Sequence, residues 1–160
     1  MLSLDEAHKA YVDANLSESK ALDNLKVSYS ADFLSKNPDV VKDLRMYLRC
    51  KSVKYLEADS YTSGVGNTTD YVVASTDLGK FAIVIASDDP IDVYGYEDYD
   101  SESTVVNLDD IQDSKFDTLK DKLYRFDYFF DRIVSTEYNK IKIDEKCFED
   151  STHNIYYKCL

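Results

Sequence analysis

Residues 114–138 read SKFDTLKDKLYRFDYFFDRIVSTEY. Phe116, Leu119, Leu123, Phe126, Phe130 and Ile133 recur at spacings of three and four, which winds all six onto one side of a helix. This is the strongest periodic signal in the chain and predicts a long amphipathic helix near 114–135. Tyr124, Tyr128 and Phe129 lie beside that stripe. They read either as a helix buried on more than one side or as an aromatic rim through which two copies form a homodimer.

Upstream of this helix the period changes. The runs 52–61 (SVKYLEADSY), 69–76 (TDYVVAST), 80–87 (KFAIVIAS) and 91–96 (IDVYGY) are rich in β-formers, separated by TSGVGN, DLGK and DDP. FAIVIA is apolar at both parities, the pattern of a strand covered on both faces. The short links predict an antiparallel sheet of about four strands in a meander. SGVGNTT holds a lone G-x-G with no following lysine and reads as a hairpin turn rather than a phosphate cradle.

Further toward the N-terminus, Ser3 and Glu6 have capping-box spacing ahead of Leu4, Ala7, Tyr11, Ala14, Ala21, Leu22 and Leu25. Residues 15–17 are the expected break between two helices, with Ser17 as a cap. Asn37-Pro38-Asp39 starts another helix, whose apolar face is Val40, Val41, Leu44, Tyr47 and Leu48. His8 reads as a surface residue. At the other end, KIKIDEKCF and NIYYKCL alternate across EDSTH and predict a C-terminal β-hairpin. Together these elements give one α+β domain over 1–160, with helices packed on the sheet.

Charge narrows the functional classes. The net charge is −12, and aspartate supplies 23 of the 31 acids, a residue suited to caps, turns and loops. Residues 36–54 carry +4, whereas 57–113 carry −13. Such a field opposes direct binding to nucleic acid or to an anionic membrane. No run approaches a membrane-spanning length, and the start has no basic segment followed by an apolar one. Cys50, Cys147 and Cys159 show no CxxC pairing, so a cytoplasmic, reduced protein is expected.

Within IDVYGYEDYDSE (91–102), strand alternation separates Ile91 and Val93 from a second face carrying Asp92, Tyr94, Tyr96, Asp98, Asp100 and Glu102. Carboxylates and tyrosine rings together suit lysine and arginine. These six residues are the expected partner-binding site, set against the plainer reading of a solvated acidic loop.

Chemical motifs are weaker. The loop 98–109 follows calcium-loop spacing through Asp98, Asp100, Glu102, Thr104 and Asp109, but has Ser103 where glycine belongs and aspartate at its last position. Asp109, Asp110 and Asp113 could hold magnesium, yet are also ordinary residues for a helix entrance. Cys147, His153 and Cys159 offer three soft ligands where a structural zinc site wants four. Lys42, Arg45 and Arg49 recur along one face of the third helix, with Lys51 and Lys54 following. That basic edge has three readings: a phosphate contact, a partner for the acidic region, or a dimer contact.

The expected function is therefore a non-enzymatic acidic interaction protein that needs no cofactor. It would occlude a basic, nucleic-acid-handling protein as an inhibitor, immunity or anti-defence protein, mimicking phosphate charge. The alternatives are a small magnesium-dependent hydrolase or nuclease using Asp109, Asp110 and Asp113, and a self-associating structural or assembly subunit.

Overall fold

The computed structural model describes residues 2–62, 66, 68–87, 103–108 and 116–134. Among these residues three helices, four strands of one sheet and a fourth helix follow in α+β order: α1 (Leu4–Asp13), α2 (Ser19–Lys36), α3 (Pro38–Leu48), β1 (Val53–Thr62), β2 (Thr68–Thr76), β3 (Gly79–Ser87), β4 (Ser103–Asn107) and α4 (Asp117–Val134).

The helix boundaries follow local chemistry. Ser3 Oγ accepts from the Glu6 amide at 3.2 Å, and Glu6 Oε1 accepts from the Ser3 amide at 3.3 Å, completing the capping box of α1. The chain leaves α1 through Asn15 and Leu16, both at positive φ. Leu16 tolerates that conformation because its side chain packs against the core and its amide bonds the Tyr11 carbonyl. Ser17 does not cap α2. Its hydroxyl donates back to Ala14, and Glu18 occupies the cap position. Asn37 does open α3, with Pro38 at the first position, but its side chain turns backward. Asn37 Nδ2 donates to the Phe33 carbonyl at 2.8 Å, and its Oδ1 accepts from Lys122 Nζ of α4 at 3.1 Å. The same ammonium reaches Asp39 at 3.0 Å, so one lysine clamps the α2–α3 joint to α4.

The strands β1, β2 and β3 form the expected antiparallel meander. Asp77 and Leu78 make the β2–β3 turn, which Gly79 closes at φ 112°, a conformation that favours glycine. The fourth strand differs from expectation. It is β4, residues 103–107, and it pairs parallel to β3 with Lys80 beside Ser103, making the sheet mixed in the order β1-β2-β3-β4. A parallel neighbour requires a crossover, and the chain between Ser87 and Ser103 is long enough to return to the start of β3. The expected strand 91–96 and the C-terminal hairpin lie outside the described residues.

One core fills the space between the helices and the sheet. Leu56, Val72, Ala74, Ile83 and Ile85 meet Leu25, Tyr29, Val40 and Leu44, with the α4 stripe of Leu119, Leu123, Phe126, Phe130 and Ile133 between them. Tyr29 stacks on Phe126 at 4.7 Å between ring centroids and donates to the Phe126 carbonyl at 2.7 Å. Ala82, Ile83, Val84 and Ile85 are all buried, so β3 is enclosed at both parities, as its sequence predicts. Tyr71, Val73 and Ala82 form a smaller cluster on the opposite face of the sheet.

His8 is buried at 5 % exposure, against the expectation of a surface residue. Its ring lies 6.5 Å from that of Tyr11, facing α4. Burial holds its imidazole below the ordinary value, while a hydrogen bond with the Ile133 backbone and the charge of Asp5 oppose that effect. Phe129 is likewise buried, and Tyr128 meets it edge-on at 5.6 Å. Of the three aromatics beside the α4 stripe, Tyr124 is the one clearly exposed.

Candidate functional site

The helical turn that directs Phe126 and Phe130 inward also fixes where their neighbours go. Asp127 and Asp131 stand one residue beyond each phenylalanine, at i and i+4, on the flank of α4 beside the sheet. From the sheet, β2 contributes Asp70, whose register partner is Ser60 of β1, whereas Asp59 pairs with Tyr71 and turns its carboxylate to the opposite face. Asp70, Asp127 and Asp131 line one cleft of about 390 Å³, bordered by Asp59 and closed further by Tyr11, Leu22, Lys26, Ala58, Phe130 and Val134.

The electrostatics of this cleft are unfavourable to its own carboxylates. Burial, followed by the charges of Asp131, Asp70 and Asp59, pushes the Asp127 carboxyl up to about 7. Asp131 is raised as well, by burial and by Asp70, with Arg132 pulling the other way. The field reaches into the core: the Tyr29 hydroxyl is held well above its ordinary value, mainly by burial and then by Asp127. Tyr71 Oη donates to Asp59 at 3.0 Å, and Lys26 is held by Glu57 at 3.1 Å. The arrangement is an open, negatively charged recess in which an added cation would relieve repulsion. Among the described residues, no group of three or more His, Cys, Asp or Glu side chains is gathered closely enough to hold a metal ion.

A second charged surface lies at the other end of β1. In α3, Lys42, Arg45 and Arg49 share the exposed face with Met46, while Val40, Leu44 and Leu48 point into the core. Arg49 ends the helix in the left-handed region at φ 55°, and the Cys50 amide returns to the Arg45 carbonyl at 3.2 Å. Asp77 of the β2–β3 turn accepts from the backbone amides of Lys51 and Ser52 at 2.8 and 2.9 Å. These bonds, that to Ser52 first, hold its carboxyl below the ordinary value. They also bring Leu78, at 61 % exposure, to the same end of the molecule as the basic side chains.

The partner-binding residues expected from the sequence, Asp92, Tyr94, Tyr96, Asp98, Asp100 and Glu102, lie outside the described residues. So do the carboxylates Asp109, Asp110 and Asp113 and the potential zinc ligands Cys147, His153 and Cys159. The aspartate cleft has no counterpart among the sequence expectations, because its carboxylates come from β2 and α4. Its one local signal is the Asp127/Asp131 pair on the flank of the longest apolar stripe. No described helix is long and apolar enough to cross a membrane. Comparisons with protein family models, with curated proteins and with solved structures found no match to this chain.

Proposed function

We propose that this chain is a non-enzymatic acidic interaction protein, docking a basic surface of another protein and occluding it. The observation that carries this reading is the recess formed by Asp70, Asp127 and Asp131, where burial and crowding hold Asp127 up to about 7. Like charges gathered at a cleft destabilise the free protein, and an inserted lysine or arginine converts that cost into binding free energy. The surrounding field, from a net charge of −12, speeds encounter with a cationic partner. Proteins that handle nucleic acid present such basic surfaces, so inhibitor, immunity or anti-defence roles fit the chemistry. The sequence 91–102 adds further carboxylates to the chain's negative charge.

Calorimetry with an arginine- and lysine-rich peptide as probe tests this. Binding should weaken with salt and, near neutral pH, release protons, because a cation in the recess returns Asp127 to the ionised form. Proton release is read from the binding heat in buffers of different ionisation enthalpy. A chain carrying Asp127→Asn and Asp131→Asn should bind at least tenfold more weakly and release none of these protons. Equal affinity in both proteins would reject the cleft as the docking site. A parallel loss in Asp98→Asn, Asp100→Asn and Glu102→Gln would measure the share of the acidic segment.

A further inference from the structure

The basic end of the molecule calls for its own explanation. Lys26, Lys36, Lys122 and Arg125 each pair with a carboxylate. Among the described residues, no carboxylate pairs with the side chains of Lys42, Arg45 or Arg49. In a chain so rich in aspartate, three such cations recur on one exposed helix face. Two of the most exposed large apolar side chains, Met46 at 51 % and Leu78, accompany them. Arg49 stands at the left-handed end of α3, the turn that also directs the chain into β1.

The same chain carries the complementary surface. The acidic cleft and the basic face lie toward opposite ends of β1, with Asp59 roughly 20 Å along the strand from Val53. The two surfaces therefore cannot meet within one molecule, but they can meet between two. We propose that the Lys42/Arg45/Met46/Arg49 face of one copy docks on the Asp70/Asp127/Asp131 cleft of a second copy, giving head-to-tail self-association. The inference rests on the cleft being the docking seat identified above. Such a contact is heterologous, so each added copy exposes a fresh basic face and a fresh cleft. Growth should depend on concentration and collapse in salt. A basic partner protein would compete with it for the same carboxylates.

Sedimentation velocity on the full chain, at low and high salt over a range of concentrations, gives the first test. The native chain should form salt-labile dimers and longer species. A variant with Lys42→Glu and Arg45→Glu should be monomeric, and so should one with Asp127→Asn and Asp131→Asn. Mixed in equal amounts, these two variants should form a dimer and nothing longer, because one retains a working cleft and the other a working basic face. The Lys42→Glu/Arg45→Glu variant should bind the basic peptide at least as tightly as the native chain, because its cleft is intact and no longer contested by self-association.

A native chain that stays monomeric at low salt overturns the proposal, and peptide binding would then leave the docking function standing alone. Self-association lost in the α3 variant but kept in the cleft variant would also overturn it. A dimer indifferent to both variants would point to a symmetric contact through the α4 aromatics and overturn it too. Failure of the peptide to bind, with self-association intact, would reject the basic-partner function alone.

Discussion

Replacing Asp127 with asparagine separates the destabilising charge of the cleft from its shape. The carboxyl moves from an ordinary value of 3.8 to about 7 in the folded chain. Every unit between the two values is worth about 1.4 kcal/mol, so the ceiling on the effect is about 4 kcal/mol. Asp127 is not fully enclosed, and solvent screening reduces this to about 2 kcal/mol. The sign follows from the direction of the displacement. A raised folded-state value means that native Asp127 gives its full contribution below about pH 4 and loses it progressively as pH rises through about 7. The amide of an asparagine does not titrate. The Asp127→Asn variant should therefore match the native chain near pH 4, gain on it through the window from 4 to 7, and exceed it by about 2 kcal/mol above that. For a chain of this size the gain corresponds to roughly 4–8 °C in melting temperature. Thermal and urea unfolding at about pH 4.5, 6 and 8 reads the difference directly. A gain of equal size at all three values would show that volume or hydrogen bonding is responsible, and no gain at the highest would refute the burial and crowding of Asp127.

Two further substitutions probe the links that hold α4. Tyr29→Phe removes the second donor to the Phe126 carbonyl, inside the core, and should lower stability by about 1–2 kcal/mol, whereas Tyr11→Phe, at the partly buried bond to Val134, should cost about half as much; equal losses in urea midpoint would contradict that ranking. Lys122→Met removes the clamp on Asn37 and Asp39 and should cost about 1–2 kcal/mol with the urea dependence unchanged, and an unaltered midpoint would show the clamp to be idle.

The long helix is legible in the sequence because its six apolar residues repeat with the helical period, and five of them are buried. The strands β1 to β3 are legible for a related reason: β-branched runs are separated by short turn sequences. The fourth strand is not. The five residues of β4 sit in an acidic stretch, and their parallel pairing with β3 depends on a contact distant in sequence that no local pattern records. The length of α2 is obscured by Ser28 and Ser30, which are buried yet polar. Each is satisfied at a distance: Ser28 donates to the Leu2 carbonyl, and Ser30 Oγ accepts from the Leu56 amide. His8 resembles a surface residue in the sequence because the buried stripe of α1 is wider than Ala7 and Tyr11 alone suggest. The cleft follows the logic of β4, since carboxylates at 70, 127 and 131 become neighbours only when α4 packs beside the sheet.

The bond from Tyr11 to the Val134 carbonyl closes a loop of 123 residues, and that separation has a consequence for synthesis. A chain emerging from the ribosome can build its first three helices and first three strands while the α4 stripe is still absent. Until then Leu25, Tyr29 and Leu44 have only part of their eventual neighbours, and their apolar surface is open to other chains. Completion of the core waits on a long-range closure, which slows folding and extends the interval of vulnerability to aggregation. Repulsion among the excess aspartates is present throughout that interval. The acidity suited to partner capture would thus also keep nascent copies apart before their cores are complete.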